Sequence, residues 1–143
     1  MTDPNQANPL RLFLIDDDEI DVENVRRALV ENEAVFELAV ACDGEQALAM
    51  LESGQVDPHE LIVLLDLNMP RMNGTEFLRA LRESERFRRL PVVVLTTSDD
   101  DRDKVEAYEL NVAGYILKPV TFTAFVDTMA AVEAYWRLQE FPP

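Results

Sequence analysis

Five short apolar runs punctuate the chain: Leu12–Ile15, Phe36–Ala41, Leu61–Leu65, Val92–Leu95 and Gly114–Leu117. The segments between them carry a helical period instead. Val22, Val25 and Leu29 fall at i, i+3 and i+7, and Ala47, Leu48 and Leu51 repeat the pattern, as do Phe77, Leu78 and Leu81. A fourth helix is predicted over Asp99–Leu110, with Ser98 as its N-cap and Asp99, Asp100 and Asp101 at its positive terminus. A fifth is predicted from about Thr121 to Glu140. Strands alternating one by one with helices imply right-handed crossovers and a doubly wound, five-stranded parallel sheet with helices on both faces, an α/β fold. The first, third and fourth runs are apolar throughout, as buried central parallel strands should be.

The domain reading follows from length. At 143 residues and 48% hydrophobic content the chain fills one core and leaves no room for a second module. Met1–Pro9, polar with two prolines, is expected to be a flexible lead-in, and residues 10–143 one domain with an extended C-terminal helix and tail. No apolar run is long enough to span a bilayer, and the N-terminus has no signal-peptide pattern, so no membrane association is expected. A single cysteine, Cys42, cannot form an internal disulfide; it suits a reducing cytoplasm and is expected to be a small, semi-buried residue. The formal charge of -15 repels phosphate backbones, so direct nucleic-acid binding is not expected.

In open parallel sheets the ligand site lies beyond the carboxyl ends of the strands. Those ends deliver Asp16, Asp17 and Asp18 after the first strand, Asp66 after the third, Thr96 and Thr97 at the fourth, and Lys118 after the fifth. Carboxylates gathered on one edge repel one another unless a cation sits among them, and an all-oxygen donor set without histidine or thiolate points to Mg²⁺. A carboxylate beside such an ion can act as a nucleophile towards phosphorus, with Lys118 as a point charge and Thr96 as a hydroxyl for the phosphoryl oxygens.

Taken together and in order, LIDDDE, DLNMPRMNG, VLTTS and YILKP resemble the signature of receiver domains of two-component response regulators, from Leu12 to about Met129. The resemblance implies a flavodoxin-like strand order 2-1-3-4-5. It implies that Asp66 is the phosphoacceptor, that Asp16 and Asp17 hold Mg²⁺ with Asp66, and that Asn68 lends the ion its backbone carbonyl. Thr96 would be the switch hydroxyl and Tyr115 the switch aromatic; Lys118 would bind phosphate, and Pro119 would follow a cis Lys118–Pro119 bond. Gly74 would permit the tight turn after the acceptor loop. The expected function is that of a stand-alone receiver that takes its phosphoryl group from a histidine kinase. Such a protein is no enzyme beyond its own phosphoryl transfer and autodephosphorylation, and it signals by protein–protein contact. A phosphotransfer protein is a further candidate partner.

Rival readings are weaker. Alone, Asp16–Asp18 also fits a solvated turn with a helix cap, and Asp18 is expected to be only a cap or a residue that supports the ligands from behind. His59, in DPHE, is expected to be an exposed loop residue. A Mg²⁺-dependent phosphatase of the haloacid dehalogenase type would want a second Asp two positions after Asp66, where this chain has Asn68. A flavin carrier would want a Gly, Ser or Thr phosphate loop where this chain has aspartates. A phosphorylation-independent scaffold sits poorly with the intact set of Asp66, Thr96 and Lys118.

On the last helix, Phe122, Phe125, Val126, Met129, Val132 and Trp136 form one apolar stripe for the core. Ala124, Ala131, Tyr135 and Leu138 form a second, and Phe141 extends it. A surface helix has no need of two apolar sides, so a two-fold homodimer through Ala131, Tyr135, Leu138 and Phe141 is expected. The terminal AVEAYWRLQEFPP also resembles the tails of receivers paired with bacterial phytochrome kinases, which makes a bacteriophytochrome the expected kinase.

Overall fold

The computed structural model describes residues 8–142. Most of the expected lead-in, Met1–Pro9, lies outside the described residues. In chain order the elements are β1 (Leu10–Ile15), α1 (Glu19–Glu31), β2 (Phe36–Ala41), α2 (Gly44–Glu52), β3 (Ile62–Leu65), α3 (Gly74–Glu83), β4 (Val92–Thr96), α4 (Asp101–Glu109), β5 (Gly114–Leu117) and α5 (Phe122–Leu138). The strands form one sheet in the order β2-β1-β3-β4-β5, and every neighbouring pair is parallel. This is the flavodoxin-like arrangement expected from the sequence.

Strand alternation divides the interior into two layers. Phe13, Ile15, Val63, Leu65, Val92 and Val94 point to one face, where Leu51, Phe77, Leu78, Leu81 and Ala107 of α2, α3 and α4 cover them. Leu12, Leu14, Ile62, Leu64, Val93 and Leu95 point to the other, under Val25 and Leu29 of α1 and Phe125, Met129, Val132 and Trp136 of α5. Each fully buried large apolar side chain stabilises the fold by about 1.5–3 kcal/mol. With β1, β3 and β4 packed on both faces, the polar residues that end them are forced to the sheet edge.

Several boundaries differ from the sequence reading. β1 begins at Leu10, because Arg11 pairs with Glu37 across the sheet and its guanidinium bonds the Glu37 carboxylate at 2.9 Å. α4 begins at Asp101, and its N-cap is Asp100, whose side chain accepts from the Arg102 amide, not Ser98. Ser98 is engaged elsewhere: its hydroxyl donates to Asp103 and its carbonyl accepts from Tyr115. α5 ends at Leu138, after which the chain folds back and sets Phe141 against Trp136, ring centroids 6.0 Å apart. Cys42 is exposed instead of semi-buried, because it follows the last residue of β2 at the sheet edge. His59 is exposed in its loop, and Asp18 caps α1 through the amides of Ile20 and Asp21. Among the described residues, no helix is long and apolar enough to cross a membrane.

Candidate functional site

Each strand end contributes one part of the site. Asp16 directly follows β1 and Asp66 directly follows β3; the Asp66 amide donates to the Ile15 carbonyl at 3.0 Å, which locks the two ends side by side. Thr96 closes β4 and is fully buried. Lys118 follows β5, and its amide donates to the Thr96 carbonyl at 2.8 Å. Parallel register therefore gathers four side chains that are far apart in sequence.

The Asp66 carboxylate, 3% exposed, is held from both sides. Its Oδ1 accepts from the Thr96 hydroxyl at 2.9 Å and from the Asn68 amide at 3.3 Å. Its Oδ2 faces the Lys118 ammonium at 3.3 Å. Lys118 also bonds Asp16 at 3.0 Å and, at 2.7 Å, Asp21. Asp16 is buried while Asp17 is exposed beside it, and ligand oxygens of Asp16, Asp17 and Asp66 all lie within 4.8 Å of one another.

The electrostatics follow from this crowding. Burial is the largest influence on Asp16 and pushes its carboxyl up to about 6, against the opposing pull of the Asp18 amide and Lys118. Burial acts on Lys118 in the opposite sense and would lower it. The hydrogen bonds to Asp21 and Asp16 and the charges of Asp16 and Asp66 outweigh it, and hold the ammonium above its ordinary range. An anionic pocket with a desolvated carboxylate and only oxygen donors fits a hard divalent cation, which would restore the ionised form of Asp16.

Tyr115 is half-buried against the inner layer of α2, α3 and α4, and its hydroxyl donates to the Ser98 carbonyl at 2.8 Å. The Ser98 amide in turn donates to the Thr96 hydroxyl at 3.3 Å, so Tyr115 and Thr96 share one intermediary. One expectation needs correction. The Lys118–Pro119 bond is trans, since no cis peptide occurs among the described residues. Trans is the lower-energy form of an X-Pro bond, and the Lys118 ammonium reaches its carboxylates with it in place. Gly74, expected at the tight turn after the acceptor loop, is the first residue of α3, where the backbone of that loop approaches it closely. A β-carbon there would lie 2.2 Å from the Asp66 carbonyl oxygen.

Sequence reasoning missed Asp21. Its only signal is position: it stands in the first turn of α1, five residues after Asp16, where an acid normally serves the helix terminus. Of the second apolar strip on α5, Ala131, Tyr135 and Leu138 are exposed, Leu138 at 85%. Phe141 is removed from it, since it packs on the protein's own Trp136.

Comparison with known proteins gives the family. Residues 12–130 match the family model of the response regulator receiver domain. Response regulator Rcp1 of Synechocystis is 32% identical over 136 residues, 92% of each chain. The crystal structure of the phosphorylated cyanobacterial phytochrome response regulator RcpA superposes with a TM-score of 0.85 at 28% identity, covering 95% of this chain and 100% of that one. The Mn²⁺-bound form of Rcp1 gives 0.83 at 29% identity, covering 94% and 100%. Receiver domains are signalling modules that partner with histidine kinases, and this chain belongs to the response regulator receiver family.

Proposed function

We propose that the protein accepts a phosphoryl group from a histidine kinase onto Asp66 in a Mg²⁺-dependent reaction and passes the signal on by protein–protein contact. The observation that carries this reading is the placement of Asp66, buried between the Thr96 hydroxyl and the Lys118 ammonium with two further carboxylates in reach. Asp16, Asp17, Asp66 and the Asn68 backbone carbonyl would hold the ion, which when bound supplies the positive charge that offsets the phosphoryl oxygens. A carboxylate oxygen of Asp66 forms the new P–O bond as the P–N bond of the donor phosphohistidine breaks. The donor imidazole takes the electron pair and is protonated as it leaves. Thr96 turns its hydroxyl from Asp66 to a phosphoryl oxygen, and Lys118 closes on another. The Thr96 movement disturbs the contact with the Ser98 amide, and Tyr115, bonded to the Ser98 carbonyl, reorients. Hydrolysis of the aspartyl phosphate resets the switch.

Residues 10–143 act as one receiver unit in this reading, in the cytoplasm beside the kinase. A bacteriophytochrome is the proposed kinase, supported by the similarity to RcpA, a cyanobacterial phytochrome response regulator. A phosphotransfer protein would dock at the same mouth. A homodimer through Ala131, Tyr135 and Leu138 is supported by their exposure on a helix whose other side is already core.

Incubation with acetyl phosphate and Mg²⁺, read by intact mass, tests the reaction. Wild type is expected to gain one phosphoryl mass and Asp66→Asn none. An unchanged wild type, with rapid hydrolysis controlled for, contradicts it.

A further inference from the structure

The Lys118 ammonium has three donor protons and three carboxylate partners. Asp21 is the nearest at 2.7 Å, Asp16 lies at 3.0 Å and Asp66 at 3.3 Å. The three partners are not equivalent. Asp16 and Asp66 belong, with Asp17, to the oxygen cluster suited to a cation; Asp21 does not. A divalent cation in that cluster draws on two of the three carboxylates that hold Lys118, and its charge repels the ammonium. Asp21 is the one partner no cation claims. Its side chain is 21% exposed and that of Lys118 only 7%, so the contact escapes most of the screening that weakens surface ion pairs.

We propose that Asp21 is a positioning residue: it keeps the Lys118 ammonium in the pocket once a cation occupies the cluster, and so presents it to the incoming phosphoryl oxygens. The proposal rests on the reading of Asp66 as phosphoacceptor. Without metal, Asp16 and Asp66 suffice to hold Lys118. With metal, the hold depends on Asp21, whose backbone N–H donates to the Asp18 side chain in the first turn of α1.

The sequence makes this measurable, because Lys104 and Lys118 are its only lysines. In the full chain labelled with ¹⁵N-lysine, the side-chain ammonium of Lys118 is followed by its proton exchange, with and without saturating Mg²⁺. Wild type is expected to protect it in both conditions. Asp21→Leu should protect it only without Mg²⁺, exchanging at least about tenfold faster once metal is added, as expected for loss of a charge-assisted hydrogen bond. Asp21→Glu should restore protection. Equal protection of Lys118 in Mg²⁺-loaded Asp21→Leu and wild type overturns the proposal. So does loss of protection in Asp21→Leu without metal, since Asp16 and Asp66 would then hold nothing. A second arm measures the rate of phosphoryl gain from acetyl phosphate. Asp21→Leu should slow it, and should slow it no further in a Lys118→Met background, whereas an additive loss contradicts action through Lys118. A wild type that gains no phosphoryl mass refutes the phosphoacceptor reading alone, and the ammonium exchange still decides the role of Asp21.

Discussion

Gly74 lies so close to the backbone of Asp66 that a β-carbon at Gly74 would meet the Asp66 carbonyl oxygen at 2.2 Å and the Leu67 α-carbon at 2.7 Å. The amide of Gly74 also donates to the Leu67 carbonyl at 3.1 Å, so the start of α3 is pressed onto the loop that presents the acceptor. Both obstacles are backbone and cannot turn aside. Gly74→Ala is therefore expected to destabilise the fold by about 3 kcal/mol, at the upper end of overpacking costs. It should also displace the Asp66 carboxylate from Thr96. Urea unfolding of the variant checks the first point, and an unchanged midpoint would contradict the packing described.

The raised pKa of Asp16 makes the metal-free protein pH-sensitive. Its carboxyl ionises near 6 in the folded state against 3.8 in the reference state, so the folded state binds the proton more tightly. Its favourable contribution is complete below pH 3.8 and is lost as the pH rises through about 6. Asp16→Asn is expected to be more stable than wild type at pH 7.5 without Mg²⁺, with the gap closing towards pH 4. Mg²⁺ should stabilise wild type at pH 7.5 and do little at pH 4.5. Thermal unfolding across this pH range, with and without the ion, measures both effects, and a pH-independent gap would contradict the assignment.

Arg82 ties three segments together from the last turn of α3. Its guanidinium donates to the carbonyls of Leu90 and Leu110 at 2.7 Å and to those of Arg88 and Asn111 at 3.0 Å. Burial pulls it below its ordinary pKa. Arg82→Met keeps the bulk and strands four carbonyls at the ends of β4 and α4, which should cost about 3 kcal/mol. Arg82→Lys should recover little, because an ammonium cannot reproduce the planar fork. Chemical denaturation of both variants decides the matter; a lysine variant as stable as wild type would show that charge alone matters here.

The dimer proposal is best tested by point substitution. Val132 and Trp136 are buried, and the Trp136 indole donates to the Glu60 carbonyl at 2.8 Å, so truncation within α5 would remove core. Leu138→Glu and Tyr135→Glu alter only the exposed strip. Sedimentation at micromolar concentrations should show a wild-type dimer and monomeric variants. A monomeric wild type would remove the proposal.

What the sequence revealed and what it hid have physical causes. Asp16, Asp66, Thr96 and Lys118 were legible because a parallel sheet sends every strand end to one edge, and an apolar run marks each end. Asp21 was hidden because an acid in a first helical turn has a sufficient local explanation, and only the tertiary approach of Lys118 gives it another. Gly74 marks in the sequence a place where space is short, but only the fold shows that the Asp66 carbonyl is the atom that shortens it. Ser98 has the composition of a cap, yet its hydroxyl donates to Asp103 and accepts only from the Asp100 amide, before the helix, so the cap falls to Asp100. Phe141 reads as exposed by position, and only the reversal of the chain after Leu138 brings it onto Trp136.

The central claim is that Asp66 itself becomes the phosphorylated side chain. Borohydride reduction of the protein after acetyl phosphate and Mg²⁺ converts an aspartyl phosphate to homoserine, which peptide mass spectrometry locates by residue. Homoserine is expected at position 66 and nowhere else, dependent on Mg²⁺ and lost in Asp66→Asn. Homoserine at Asp16, Asp17 or Asp21, or none at position 66 in a protein that has gained phosphoryl mass, would contradict it.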